Sequence, residues 1–157
     1  MNNDSPRILF VCTGNTCRSA MAEALWNRTY QAPLASSAGI SAWPGQQAQA
    51  SAQNAVAMYG ADLSQHRSRD LDDVWEEPHW VICMTQVQCQ TVMQRRPNWA
   101  DKVYLLTELV GETGDIADPI GMDPIVYDKL ASVLQGLIVR LGDKIGAVPP
   151  KTIGKED

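Results

Sequence analysis

Apolar and polar positions along the chain alternate between two rhythms. Arg7 to Cys12 (RILFVC) is an unbroken apolar run rich in β-formers and ends just before Gly14, which predicts a strand buried on both faces. From Arg18 to Tyr30 the pattern becomes helical, with Met21, Ala24, Leu25 and Arg28 at i, i+3, i+4 and i+7. Leu34 to Ile40 predicts a second strand, closed by a Trp43-Pro44-Gly45 break. Gln47 to Tyr59 is an Ala-rich helix stopped by Gly60. Trp80 to Met84 predicts a third strand, Gln86 to Arg95 a helix, Val103 to Leu106 a fourth strand, and Tyr127 to Ile145 a long amphipathic helix. The tail from Ala147, with Pro149-Pro150 and mixed charges, is expected to be loose. Strands apolar along their length, alternating with helices, predict an α/β fold. The expected form is a single three-layer domain: a central four-stranded parallel sheet with helices on both faces.

The chain has 157 residues, a length that suits one domain spanning 1–157, with its core over about 7–145. Lys and Arg number 13 and Asp and Glu 18, so the net charge is 13 − 18 = −5. That balance argues against nucleic acid or anionic membrane as a bulk partner, although a small positive pocket for an anion is compatible with it. No stretch approaches the ~18 apolar residues that cross a bilayer. The polar start, Met1 to Pro6, lacks the pattern of a signal peptide, and a cytoplasmic location with reduced thiols is expected. The four cysteines, Cys12, Cys17, Cys83 and Cys89, show no zinc-ligand spacing, so no metal is expected.

In open α/β sheets, ligands sit outside the carboxyl ends of the strands near a switch in strand order, so the turn after the first strand is the first place to look. It reads Val11-Cys12-Thr13-Gly14-Asn15-Thr16-Cys17-Arg18-Ser19. Gly14 permits unusual backbone angles, and Asn15 tolerates left-handed φ. Such a loop can point successive N–H groups inward at a helix N-terminus and so cradle an anion. Arg18 adds a planar fork for two phosphate oxygens. The same positive field favours a thiolate at Cys12, and Ser19 can donate a hydrogen bond to its sulfur. The bare spacing of Cys, five residues and Arg recurs at Cys89–Arg95, but that copy has no glycine and lies inside a helical pattern, so it reads as structural.

This loop and five further segments carry a resemblance. They are SSAGISAW at Ser36–Trp43, HRSRDL at His66–Leu71, WVICMT at Trp80–Thr85, DKVYLL at Asp101–Leu106 and ADPIGMD at Ala117–Asp123, in the same order and spacing. The chain resembles the low-molecular-weight protein tyrosine phosphatases over roughly Arg7 to Ile145. The resemblance implies a cysteine-dependent phosphatase working through a phosphocysteine, with Cys12 as nucleophile, Arg18 on the phosphate and Asp118 as general acid. It implies a phosphate-binding loop of Thr13, Gly14, Asn15, Thr16, Cys17 and Ser19, supported by Ser37 and His66. It also implies that Cys17 can form a reversible disulfide with Cys12, and that Trp43 lines the substrate cleft. Trp43 beside a Pro-Gly turn is equally read as a core residue. Asp123-Pro124 is a helix start by pattern, whereas Asp118 matches the family's acid.

Two departures point to the substrate. Tyrosine-specific members usually carry Ile where Thr16 stands and aromatics where Ile120 stands. The CTGNTCR loop is similar to that of bacterial protein-arginine phosphatases, so Thr16, Trp43 and Ile120 are the expected specificity positions and phosphoarginine the expected preference, with phosphotyrosine as the alternative. The expected partners are phosphorylated proteins; no cofactor and a monomer are expected. Two rivals remain. A thioredoxin-coupled arsenate reductase would need a relay through Cys83 and Cys89, whose placement in a strand and the following helix is wrong for it. A non-catalytic phosphate-binding module would not need Cys12, Arg18 and Asp118 together.

Overall fold

In a computed structural model, which describes residues 6–150, the chain forms four parallel strands. These are β1 (Arg7–Cys12), β2 (Leu34–Gly39), β3 (Trp80–Cys83) and β4 (Val103–Leu105), paired in the order β2-β1-β3-β4. The helices are α1 (Arg18–Thr29), α2 (Ala50–Ala57), α3 (Gln86–Arg95), the short α4 (Leu106–Leu109) and α5 (Pro124–Ile145). The order of the strands reverses at β1, which has β2 on one side and β3 on the other. Such a reversal is where open α/β sheets place their ligands, and the loop from Thr13 to Cys17 begins there.

The unbroken apolar run of β1 is explained by the two packed faces. Ile8, Phe10 and Cys12 join Met21, Leu25 and Trp26 of α1, Val56 of α2, and Leu134 and Ile138 of α5. The alternate residues Leu9 and Val11 face the opposite side, with Val81, Cys83, Val92 of α3, Trp99 and Leu71. Helices thus cover both faces of the sheet, as expected. Each large side chain that is fully buried here contributes roughly 1.5–3 kcal/mol. No helix among the described residues is long and apolar enough to cross a membrane.

Several boundaries differ from the pattern. Helix α2 starts at Ala50 rather than Gln47, because the Gln49 N–H is donated to the Thr16 carbonyl of the loop after β1 at 3.0 Å. Helix α5 starts at Pro124, three residues before the predicted Tyr127, with Asp123 at its N-cap and Pro124 in the first turn, where its missing N–H costs nothing. It ends at Gly146, whose φ of 73° is the left-handed cap that glycine supplies without strain. The 3-10 turns at Leu71–Asp73 and Pro97–Lys102 carry no periodicity and were not predicted. The expected loose tail does not begin at Ala147: Val148 bridges Ala32, with backbone hydrogen bonds in both directions. The expectation for residues 151–157 lies outside the described residues.

Candidate active site

The loop from Thr13 to Cys17 links β1 to α1 without regular structure. None of its five backbone N–H groups donates to another described residue. Helix α1 follows with Cys17 at its N-cap and no side-chain cap; the Ser19 N–H turns to Cys12 Sγ, and the N–H groups of the loop and of Arg18 are left for a ligand. The left-handed residue is Asn15, with φ of 60°, the one non-glycine residue with positive φ among those described. Gly14 does not adopt positive φ; a side chain at that position would meet only Thr16 Oγ1, at 3.9 Å. The glycine that the fold does require is Gly39, at the end of β2, where a Cβ would collide with the Thr13 carbonyl. Nothing in the pattern of the sequence marked it.

Cys12 is buried at the end of β1, with Sγ 2.9 Å from Ser19 Oγ and 3.4 Å from the Ser19 N–H. Asn15 Nδ2 donates to Ser19 Oγ at 2.8 Å, so the Ser19 hydroxyl has its own proton free to point at Cys12 Sγ. The second Nδ2 proton goes to Ser37 Oγ at 2.9 Å, and Ser37 in turn donates to Glu23 Oε1 at 2.6 Å. His66 Nε2 donates to the Asn15 carbonyl at 2.7 Å, and the Arg69 N–H to Asn15 Oδ1 at 2.9 Å. Burial pushes the Glu23 carboxyl up, against the lowering effect of the Ser37 hydroxyl.

Arg18 is buried; its Nη1 donates to the Ile116 carbonyl at 2.8 Å and its Nη2 lies 3.5 Å from Asp118 Oδ2. Its Nε is buried without a partner among the described residues. A buried guanidinium donor is costly to leave unmatched, and an anion in the loop would satisfy it. Asp118 sits on the segment before α5, with its carboxylate 44% exposed and Oδ1 accepting from the Ile120 N–H at 3.1 Å. The structure therefore brings Cys12, Ser19, Arg18 and Asp118 to one end of the sheet, with Asn15, Ser37 and His66 behind the loop.

Gln88 was not anticipated. It closes the capping box of α3, its Oε1 accepting from the Thr85 N–H at 3.0 Å, and its Nε2 reaches Thr13 Oγ1 at 3.1 Å. Tyr127 was also missed: its hydroxyl lies 3.8 Å from Cys17 Sγ. Burial and this contact push Tyr127 up to about 12, and burial pushes the Cys17 thiol up as well. Thr16 keeps only 6% of its surface, with Oγ1 4.0 Å from Cys17 Sγ. Ile120 is exposed. So is Trp43, at 75%, which overturns its reading as a core residue. Of the other tryptophans, Trp26 and Trp99 are core, whereas Trp75 is exposed beside the Arg7 guanidinium.

The second Cys-to-Arg copy has no cradle. Cys89 and Arg95 lie in α3, where Arg95 pairs with Asp70 and Asp72 and donates to the Ile40 carbonyl. Cys83 lies at the end of β3 and Cys89 in the first turn of α3, as the pattern placed them, and the two thiols face each other. They meet in the core cluster on the far side of the sheet from the one that contains Cys12. The contact with Cys89 and burial push the Cys83 thiol well up, so it is held protonated.

The sequence pattern of the family described as low molecular weight phosphotyrosine protein phosphatase matches residues 7–147. A protein-arginine-phosphatase of Geobacillus stearothermophilus is 40% identical over 144 residues, which cover 88% of this chain and 95% of that protein. A crystal structure of a low molecular weight protein tyrosine phosphatase from T. tengcongensis is 40% identical and superposes with a TM-score of 0.84, covering 89% of this chain and 99% of that one. A structure of the YwlE arginine phosphatase, with its active-site cysteine replaced by serine and that serine phosphorylated, is 33% identical with a TM-score of 0.83, covering 89% and 95%. The family match over residues 7–147 spans β1 through α5, and the chain belongs to the low molecular weight phosphotyrosine protein phosphatase family.

Proposed function

We propose that this chain hydrolyses phosphorylated protein side chains, phosphoarginine ahead of phosphotyrosine, through a phosphocysteine at Cys12. The observation that carries the phosphatase reading is the unpartnered, buried Arg18 Nε beside a loop whose N–H groups are likewise unpartnered. Substrate phosphate takes those donors. Cys12 thiolate then attacks phosphorus, forming the S–P bond as the bond from phosphorus to the leaving nitrogen or oxygen breaks. Asp118 gives its proton to the leaving atom. Water attacks the phosphocysteine next, Asp118 takes the water's proton, and Cys12 departs as thiolate. The loop N–H groups and Arg18 stabilise the charge spread over the phosphoryl oxygens in both steps. The relative that is phosphorylated on its substituted active-site serine supports a covalent phosphoenzyme.

Two features favour phosphoarginine: the 40% identical relative named protein-arginine-phosphatase, and Thr16 with Ile120 where tyrosine-specific members carry apolar and aromatic residues. The tyrosine reading is kept because an equally identical structure is named a tyrosine phosphatase. The reading takes residues 7–145 as one catalytic domain, phosphorylated proteins as partners, a monomer, and a cytoplasmic setting in which Cys12 stays reduced. Cys17, in the same loop, is the proposed partner for a reversible disulfide when Cys12 is oxidised. The deciding experiment compares kcat/KM on phosphoarginine and phosphotyrosine peptides, with Cys12→Ser as control. A higher value on phosphotyrosine would reverse the preference, and turnover by Cys12→Ser within tenfold of wild type would overturn the phosphatase assignment.

A further inference from the structure

Asn15 holds a left-handed backbone, which asparagine tolerates better than most residues other than glycine, and the surrounding structure fixes it there. Four neighbours do so: Ser19, Ser37, the His66 ring and the Arg69 N–H. Two of the four come from the irregular segment His66–Arg69, which has no helix or strand of its own. A precise loop cannot rest on a loose one, so something must fix that segment in turn.

Backbone pairing does part of this, with the Gly39 N–H donating to the Arg69 carbonyl at 2.9 Å and the Ser68 N–H to the Gln46 carbonyl at 2.8 Å, and the Arg69 guanidinium adds a side-chain anchor. Its Nε donates to the Ser37 carbonyl at 3.2 Å, and its two terminal nitrogens grip Glu76 side by side, at 2.9 Å to Oε1 and 2.7 Å to Oε2. Glu76 Oε2 also accepts from Ser36 Oγ at 2.7 Å. Ser36 and Ser37 are consecutive on β2, opposite Leu9 and Phe10 of β1. Glu76 therefore ties Arg69 to the strand whose next residue, Ser37, also holds Asn15. The Glu76 side chain is 4% exposed, a depth at which a carboxylate is kept only by such partners.

We propose that Glu76 is a positioning residue for the phosphate loop. Through the bidentate pair with Arg69 it sets the Arg69 N–H and the His66 ring against Asn15, and so holds the loop N–H groups in the anion-binding arrangement. The inference rests on the phosphatase reading for its consequence in catalysis, but its first consequence is phosphate binding.

The test is Glu76→Gln, which keeps the volume and removes one of the two oxygens that the guanidinium requires. Calorimetric binding of inorganic phosphate is measured, then kcat and KM, all at least 15 °C below the variant's own melting temperature. The expected result is a phosphate Kd raised fivefold or more and kcat lowered tenfold or more. Arg69→Lys is expected to reproduce it, and the two substitutions together are expected to be far from additive. Glu77→Gln, which breaks the exposed pair with Lys102, leaves both quantities unchanged. A lowered melting temperature with phosphate Kd and kcat within twofold of wild type would mean that Glu76 only anchors its own segment, and would overturn the proposal. If Glu76→Gln does not fold, Ser36→Ala removes a single hydrogen bond to Glu76 and is expected to raise the phosphate Kd about threefold; an unchanged Kd there overturns the proposal equally. Phosphate binding is read without turnover. Failure of the phosphatase reading therefore appears as an inactive wild-type protein, and failure of this inference as an unaltered Kd.

Discussion

Ser19 Oγ lies 2.9 Å from Cys12 Sγ while it accepts a hydrogen bond from Asn15 Nδ2, and that arrangement directs the serine's proton at the sulfur. Because the donor is oriented before substrate arrives, it stabilises the thiolate both as nucleophile and as leaving group. A hydrogen bond to a charged group contributes roughly 1.5–3 kcal/mol, which is about 10- to 100-fold in rate. Ser19→Ala is therefore expected to lower kcat by about that factor and to slow release of Cys12 from the phosphoenzyme. Rapid-quench kinetics should show phosphoenzyme accumulating in the variant. A rise in KM alone would refute this account.

Asp118 approaches Arg18 to 3.5 Å but keeps 44% of its side chain in solvent, so it can reach a leaving group at the mouth of the pocket. Asp123 is the N-cap of α5 and pairs with no guanidinium among the described residues. Asp118→Asn should cost ~10²–10⁴-fold on substrates with basic leaving groups and much less on activated aryl phosphates. Asp123→Asn should change both by less than threefold. Equal losses on the two substrate types for Asp118→Asn would assign it a structural role.

The Glu76 carboxyl makes a prediction about acid stability. Burial alone would raise it, but the hydrogen bonds from Arg69 and Ser36 outweigh that and hold it down at about 2, against an ordinary 4.5. A folded value below the unfolded one adds stability above about pH 4.5 that is lost as pH falls towards 2. At ~1.4 kcal/mol per pKa unit this is on the order of 3 kcal/mol. Glu23 works in the opposite sense: burial raises its carboxyl, so its protonation in acid favours the folded state. Urea unfolding of wild type between pH 6 and 3 should show the loss, and Glu76→Gln should flatten it. Parallel curves for the two proteins would contradict the assignment.

The parts of this fold legible in the sequence are those built from neighbours along the chain. The apolar run Arg7–Cys12, the Gly14-Asn15 turn and Arg18 lie within twelve residues, and α3 begins and ends where its pattern placed it, at Gln86 and Arg95. What escaped was set by distant partners. Ser36 and Glu76 are forty residues apart, and Gln88 reaches Thr13 across seventy-five. Gly39 matters only because the Thr13 carbonyl passes against it. Gln49 looked helical but gives its N–H to the phosphate loop. Tertiary contacts decided each of these, and no local propensity encodes them.

Thr16 offers the sharpest discrimination between the two substrate readings. Its carbonyl accepts from the Gln49 N–H at 3.0 Å, which ties this part of the loop to the start of α2. Its hydroxyl lies near the place where a Gly14 side chain would be, on the loop itself, and its only other polar neighbour among the described residues is Cys17 Sγ at 4.0 Å. Thr16→Ile removes a polar group from the loop that receives the phosphate and adds a methylene to a position with 6% exposure. One methylene in an apolar site changes discrimination by roughly 10–200-fold, and a lost polar contact adds to that. The ratio of kcat/KM on phosphoarginine to that on phosphotyrosine peptides should fall by at least about tenfold, with the phosphotyrosine value held or raised. Equal losses on both substrates would mean that Thr16 shapes the loop without reading the leaving group. The preference would then have to come from residues nearer the exposed Ile120 and Asp118.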